Sequence, residues 1–109
     1  MLTTTAGLDN IELLAEEVDL DQDGTRILGV HSEGPWGNRV GEKGVDTGHP
    51  EIDFEYARKM VEAGKGKLKL VALAPELENG LDAVKYFVNQ GVTAAICHTN
   101  SNYQEANAA

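Results

Sequence analysis

Two rhythms of apolar residues alternate along this chain. From Leu8 to Val18 the apolar positions Leu8, Ile11, Leu13, Leu14, Ala15 and Val18 recur at helical spacing, with Asp9 and Asn10 as candidate caps. The threonine-rich Met1–Gly7 stretch before it reads at most as the frayed end of a longer element. After a polar turn, Thr25-Arg26 opens the apolar run Ile27-Leu28-Gly29-Val30, which predicts a buried strand. That strand should stop at His31-Ser32-Glu33-Gly34-Pro35, since Gly-Pro is a strong breaker. Pro50 introduces a second helix with Glu51 and Asp53 in its first turn and Gly64 as its stop. Its apolar side is Ile52, Phe54, Ala57, Met60, Val61 and Ala63.

Lys67 to Leu73 begins as alternation and ends as the continuous run Leu70-Val71-Ala72-Leu73, the pattern of a strand covered on both faces. The next helix is predicted from Asn79-Gly80 to Asn89, burying Leu81, Val84, Phe87 and Val88, with Gly91 just beyond its end. Val92 to Cys97 is a third strand, stopping on His98-Thr99-Asn100. Tyr103 to Ala109 opens a last helix, capped by Asn102 or Ser101. The order αβαβαβα implies an α/β fold with parallel strands joined by right-handed crossovers. Parallel strands end at the same edge of their sheet. His31 and Glu33, Glu76, and His98 should therefore converge on one rim, the edge where α/β folds place their chemistry.

Length and charge narrow the function classes. At 109 residues the chain is read as one domain spanning residues 1–109, with a hydrophobic fraction of 41% that suits an ordinary core. Eighteen acids against nine bases give a formal charge of −9, a surface that repels nucleic acid and anionic lipid. No apolar run approaches the roughly 20 residues of a membrane span, and no secretory signal pattern opens the chain. One cysteine excludes an internal disulfide and suits a cytoplasmic location.

Several residues are candidates for chemistry, each with a plainer alternative. Glu33 and His98 are suitable ligands for a divalent metal such as zinc, or else a turn-capping glutamate and a packed histidine. His31 is a ligand, a substrate-orienting group or a hydrogen-bond donor behind the ligands, and His49 is by default a solvated loop histidine. Glu76 reads as a cap for the coming helix, and Cys97 as a small buried hydrophobe rather than a nucleophile. Trp36 either lines a pocket or packs under the long glycine-rich loop that runs to Pro50. Arg39 and Lys43 in that loop are a small basic cluster in an acidic protein. Asp19-Leu20-Asp21-Gln22-Asp23-Gly24 has the alternating acids of a calcium loop but not its closing glutamate, and reads as a solvated turn.

Four ordered blocks then carry a family resemblance. His31-Ser32-Glu33-Gly34-Pro35-Trp36, Lys43-Gly44, Leu73-Ala74-Pro75-Glu76, and His98-Thr99-Asn100 followed by Tyr103 resemble the N-acetylglucosamine-6-phosphate deacetylases of the amidohydrolase superfamily. The resemblance implies a partial (β/α)8 TIM barrel, with about three parallel strands and alternating helices from the middle of the usual enzyme. It also implies a reaction, hydrolysis of the acetamide of N-acetylglucosamine 6-phosphate to acetate and glucosamine 6-phosphate. Glu33 corresponds to the family's metal-binding glutamate and His98 to the first of its two later metal-binding histidines, with zinc as the expected metal. Val45, following Lys43-Gly44, corresponds to a substrate neighbour.

The chain departs from the family at Ser32, where an apolar residue is usual, at Cys97, a usual glycine, and at Asp46, where a histidine is common. It has no early His-x-His strand, no second later metal histidine, no proton-shuttling aspartate and no later phosphate-binding residues. These absences lead us to expect an incomplete site and an isolated chain without activity. The small-molecule partner implied is an amino-sugar phosphate, and the family's habit implies a homo-oligomer. The alternative is a non-catalytic α/β module that acts through partner binding.

Overall fold

The computed structural model describes residues 4–18, 24, 26–37 and 51–109. The Asp19–Asp23 acids and the whole of 38–50, with Arg39, Lys43, Val45, Asp46 and His49, lie outside the described residues. Three strands, β1 (Val30–Glu33), β2 (Leu68–Leu73) and β3 (Thr93–Ile96), form one parallel sheet in the order β1-β2-β3. They alternate with α1 (Thr4–Val18), α2 (Phe54–Ala63), α3 (Gly80–Asn89) and α4 (Tyr103–Ala108). The predicted αβαβαβα order is the observed one.

The local chemistry behind these elements is legible in most places. Asp53 caps α2 by accepting from the Glu55 amide at 2.9 Å, satisfying an orphan donor at the helix start. Arg58 bridges Glu55 and Glu62 along the exposed side of α2, raising its own pKa and lowering that of Glu55. Asn102 and Glu105 form a reciprocal capping box at the start of α4. Gly91 ends the turn after α3 with a φ of +77°, a conformation that glycine adopts without a Cβ penalty.

Four expectations need correction. Helix α2 begins at Phe54, so Asp53 is its cap, Glu51 precedes it, and the acid in its first turn is Glu55. Helix α1 begins at Thr4, so Asp9 and Asn10 are interior helical residues and not caps. The extension is held by packing: Ile11 and Ala15 enter the core, and Gly7 leaves room for the Tyr56 hydroxyl, 3.0 Å from where a Cβ would stand. Strand β1 starts at Val30, so His31 and Glu33 are strand residues and not the residues after it. Residues 26–29 run beside the sheet without ladder pairing, and Leu28 is exposed. Within α3, Phe87 is fully buried while Leu81 and Val88 are exposed, so the helix presents a narrower apolar side than its composition promised.

A single core joins the helices to one face of the sheet. Ile11 and Ala15 from α1, Ala57 and Met60 from α2, and Ala83 and Phe87 from α3 pack with Val71 and Leu73 of β2. Trp36, just past β1, is 1% exposed and sits edge-on to Tyr56 and tilted against Phe87, with ring centroids 5.9 and 6.0 Å away. Side chains alternate along a strand, so Leu70 and Ala72 turn to the other face. The register places Glu33, Ala72 and Ala95 side by side on that face, with His31 beside Leu70. Val71, Ala72 and Leu73 are all buried, as the continuous apolar run implies, but the three packed helices share the Val71 and Leu73 side.

Candidate functional site

The carboxyl edge of the sheet is where the candidate residues gather. Glu33 ends β1 and His98 follows β3 by two residues, yet β2 lies between those strands. Adjacent strands are about 4.8 Å apart, so two side chains on β1 and β3 must span nearly 10 Å. They do so where the intervening strand is small. Ala72 holds the register position between Glu33 and Ala95, and its side chain is a single methyl group, too short to stand between Glu33 and His98. His98 Nε2 stands 2.6 Å from Glu33 Oε1, a distance at which a ring N–H donates to a carboxylate. The glutamate side chain is 61% exposed and the imidazole 20% exposed.

The backbone around His98 is specialised for this reach. His98 has a φ of +44°, in the left-handed region that non-glycine residues seldom occupy. Gly37 faces it from the loop after β1; a Cβ there would stand 3.0 Å from the His98 Cβ. The last turn of ladder is continued beyond the strands. Gly34 N donates to Ala72 O at 2.9 Å, Ala74 N to Trp36 O at 2.8 Å, and Cys97 N to Leu73 O at 3.0 Å.

Glu76 also stands at this edge, in a different role from the predicted one. Asn79, in the left-handed conformation, is the N-cap residue of α3 and makes no side-chain capping bond. The Glu76 carboxylate instead accepts from Thr99 Oγ1 and from the Asn100 backbone N, each at 2.6 Å. Sequence reading missed this because its partners lie 23 and 24 residues away. The available signal was a carboxylate at one strand end level with a Thr-Asn pair at the next.

The remaining candidates separate clearly. His31 lies on the same face as Glu33, two residues earlier in β1, and is exposed. Trp36 belongs to the core and not to a pocket wall. Cys97 is half-buried, and burial, with a smaller contribution from the Glu33 charge, pushes its thiol up to about 11. A thiol held protonated in this way is a poor nucleophile near neutral pH, as its reading as a small hydrophobe requires. Val45 and His49 lie outside the described residues.

The donor pair can be tested for metal. Zinc bonds of about 2.0–2.2 Å to nitrogen and oxygen set two tetrahedral ligands roughly 3.4 Å apart. The Glu33–His98 pair, at 2.6 Å, is within about 1 Å of that separation, and carboxylate plus imidazole is a donor set that zinc accepts. Among the described residues, no group of three or more His, Cys, Asp or Glu side chains is assembled for a metal. The two donors fit, and they are fewer than the three protein ligands of an ordinary catalytic zinc site.

Three parallel βα units in the order β1-β2-β3, with polar groups converging at the carboxyl edge, have the arrangement of a portion of an α/β barrel, a class that places its functional sites on that rim. Comparison with known proteins gives the family. The chain is 33% identical, over 80% of its length, to an N-acetylglucosamine-6-phosphate deacetylase of Vibrio furnissii. It is 28% identical, over 98% of its length, to an N-acetylgalactosamine-6-phosphate deacetylase of Escherichia coli. The crystal structure of N-acetyl-D-glucosamine-6-phosphate deacetylase from Mycobacterium smegmatis superposes on 98% of the chain with a TM-score of 0.86 and 29% identity. No protein-family model matches. The chain is therefore homologous to a portion of the amino-sugar-phosphate deacetylases, and its fold is a run of consecutive units from their TIM barrel. It spans 22–30% of the length of these relatives.

Proposed function

We propose that this chain carries part of the active site of an amino-sugar-phosphate deacetylase, with Glu33 and His98 as two ligands of a divalent metal, zinc by preference. One observation carries the reading: a carboxylate and an imidazole from non-adjacent strands meet at 2.6 Å on the carboxyl edge. They do so in a chain homologous to enzymes that deacetylate N-acetylglucosamine 6-phosphate and N-acetylgalactosamine 6-phosphate. A bound zinc ion would polarise the amide carbonyl and supply hydroxide near neutral pH. Glu33 contributes the anionic oxygen, and His98 the neutral ring nitrogen, which must be free of its proton to ligate.

The substrate class is an N-acetylated amino-sugar phosphate, and the products are acetate and the free amino sugar. Val45 is the substrate neighbour that the family resemblance assigns; Arg39 and Lys43, a few residues earlier in sequence, carry a charge that suits a phosphate in an otherwise acidic chain. With two ligands among the described residues, the chain alone is not expected to release acetate. The test is a zinc titration by calorimetry at neutral pH. The expected result is binding that weakens at least 10-fold in both Glu33→Gln and His98→Gln. Zinc binding unaffected by either substitution would overturn the ligand assignment.

A further inference from the structure

Resting on the reading of His98 as a ligand, we propose that Glu76 is a positioning residue. It fixes the loop after β3 so that the His98 ring is delivered to Glu33. His98 itself sits at a φ of +44°, which its own backbone does not favour. Such a conformation persists only where its surroundings hold it, and the two residues after His98 are the ones that Glu76 grips. Oε2 accepts from the Thr99 hydroxyl and Oε1 from the Asn100 amide, both at 2.6 Å. Each carboxylate oxygen thus takes one of two successive residues, which fixes a short segment in orientation as well as position.

The clamp is built into both strand ends. Glu76 lies three residues past β2, on a turn anchored by Ala74 N donating to Trp36 O at 2.8 Å, and Trp36 is fully buried. On the other side, Thr99 Oγ1 accepts from Ser101 N at 3.0 Å and lies 2.8 Å from Ser101 Oγ, so its hydroxyl proton is directed to Glu76. Gly37 clears the space that His98 occupies. The ring is therefore aimed from three sides: Gly37 after β1, Glu76 after β2, and its own loop after β3. Partners that orient a metal ligand without touching the metal commonly change metal affinity by 10–100-fold when removed.

The experiment compares Glu76→Ala, Glu76→Gln and Thr99→Val with Glu105→Ala. The last variant breaks the α4 capping box and leaves the Glu76 bonds in place. The primary readout is the side-chain nitrogen NMR spectrum of the metal-free protein, with His98 assigned by His98→Gln. In the parent chain His98 should show a proton held on Nε2, donated to Glu33. Glu76→Ala should shift that signal to the mixed-tautomer pattern of an exposed histidine such as His31, and weaken zinc binding at least 10-fold. Glu76→Gln, which keeps one acceptor oxygen, should restore part of both. Glu105→Ala should leave the His98 signal unchanged even if it lowers the melting temperature. An unchanged His98 signal in Glu76→Ala overturns the proposal. If that variant does not fold, Thr99→Val and Glu76→Gln decide it in the same way, an unchanged signal in both again overturning it. Absence of zinc binding in the parent chain would defeat the metal reading, while the metal-free spectrum still decides the role of Glu76.

Discussion

The two faces of the β-sheet follow different rules. On the helix side, Val71 and Leu73 meet Met60, Phe87 and Trp36 in a packed core whose side chains are all but inaccessible. On the other side, continuing to the carboxyl edge, stand His31, Glu33 and His98, exposed or partly exposed, with Glu33 and His98 joined by a polar contact. Small residues separate the polar ones: Ala72 and Ala95 share the register level of Glu33. Burial of apolar area stabilises the first face, at about 25 cal/mol per Å². The second contributes little to stability and leaves ionisable groups accessible to ligands. The fold is held by one side of the sheet, and the ionisable side chains stand exposed on the other.

That contrast can be broken most forcefully from the core. Phe87→Ala removes a fully buried ring in contact with Trp36 and Tyr86 and should cost about 3–5 kcal/mol. That is a large share of the roughly 5–15 kcal/mol available to a domain, so denaturant unfolding should show a much earlier midpoint. A smaller effect belongs to Cys97, at the border of the two regions. Its thiol is raised from 9.0 to about 11 in the folded protein, so folded chains bind more protons than unfolded ones between those values. Stability carried by this group is complete below pH 9 and is lost as pH rises through 11. Denaturation midpoints measured from pH 8 upward should fall in the parent chain and fall less steeply in Cys97→Ala. The smallest effect should come from the rim itself. Glu33→Gln neutralises a largely exposed carboxylate in its pair with His98 and should change stability by at most about 1 kcal/mol by thermal melting. A loss as large as that of Phe87→Ala would mean that the pair is structural, and the contrast between the faces would fail.

Much of this division was legible in the sequence, for reasons that can be named. The apolar runs set the alternation of helix and strand, and parallel strands must end at one edge, so the sequence alone places Glu33, Glu76 and His98 on one rim. What the sequence did not convey depends on contacts between distant residues. Thr4-Thr5-Ala6-Gly7 is a weak helix former, and α1 extends through it because the helix packs along α2. The start of β1 moved to Val30 because strand limits follow ladder pairing with β2, which the run Ile27–Val30 does not encode. The grip of Glu76 on Thr99 and Asn100 has no local pattern at all, while the nearby α3 start offered a plausible but unused one.

Glu33 and His98 are proposed to hold a metal ion together. X-ray absorption at the zinc edge, on zinc-loaded parent chain and on His98→Gln, tests it most directly. With His98 as a ligand, the parent chain should show outer-shell scattering from one imidazole, and His98→Gln should lose it. A spectrum with no imidazole contribution, or one that His98→Gln leaves unchanged, would contradict it.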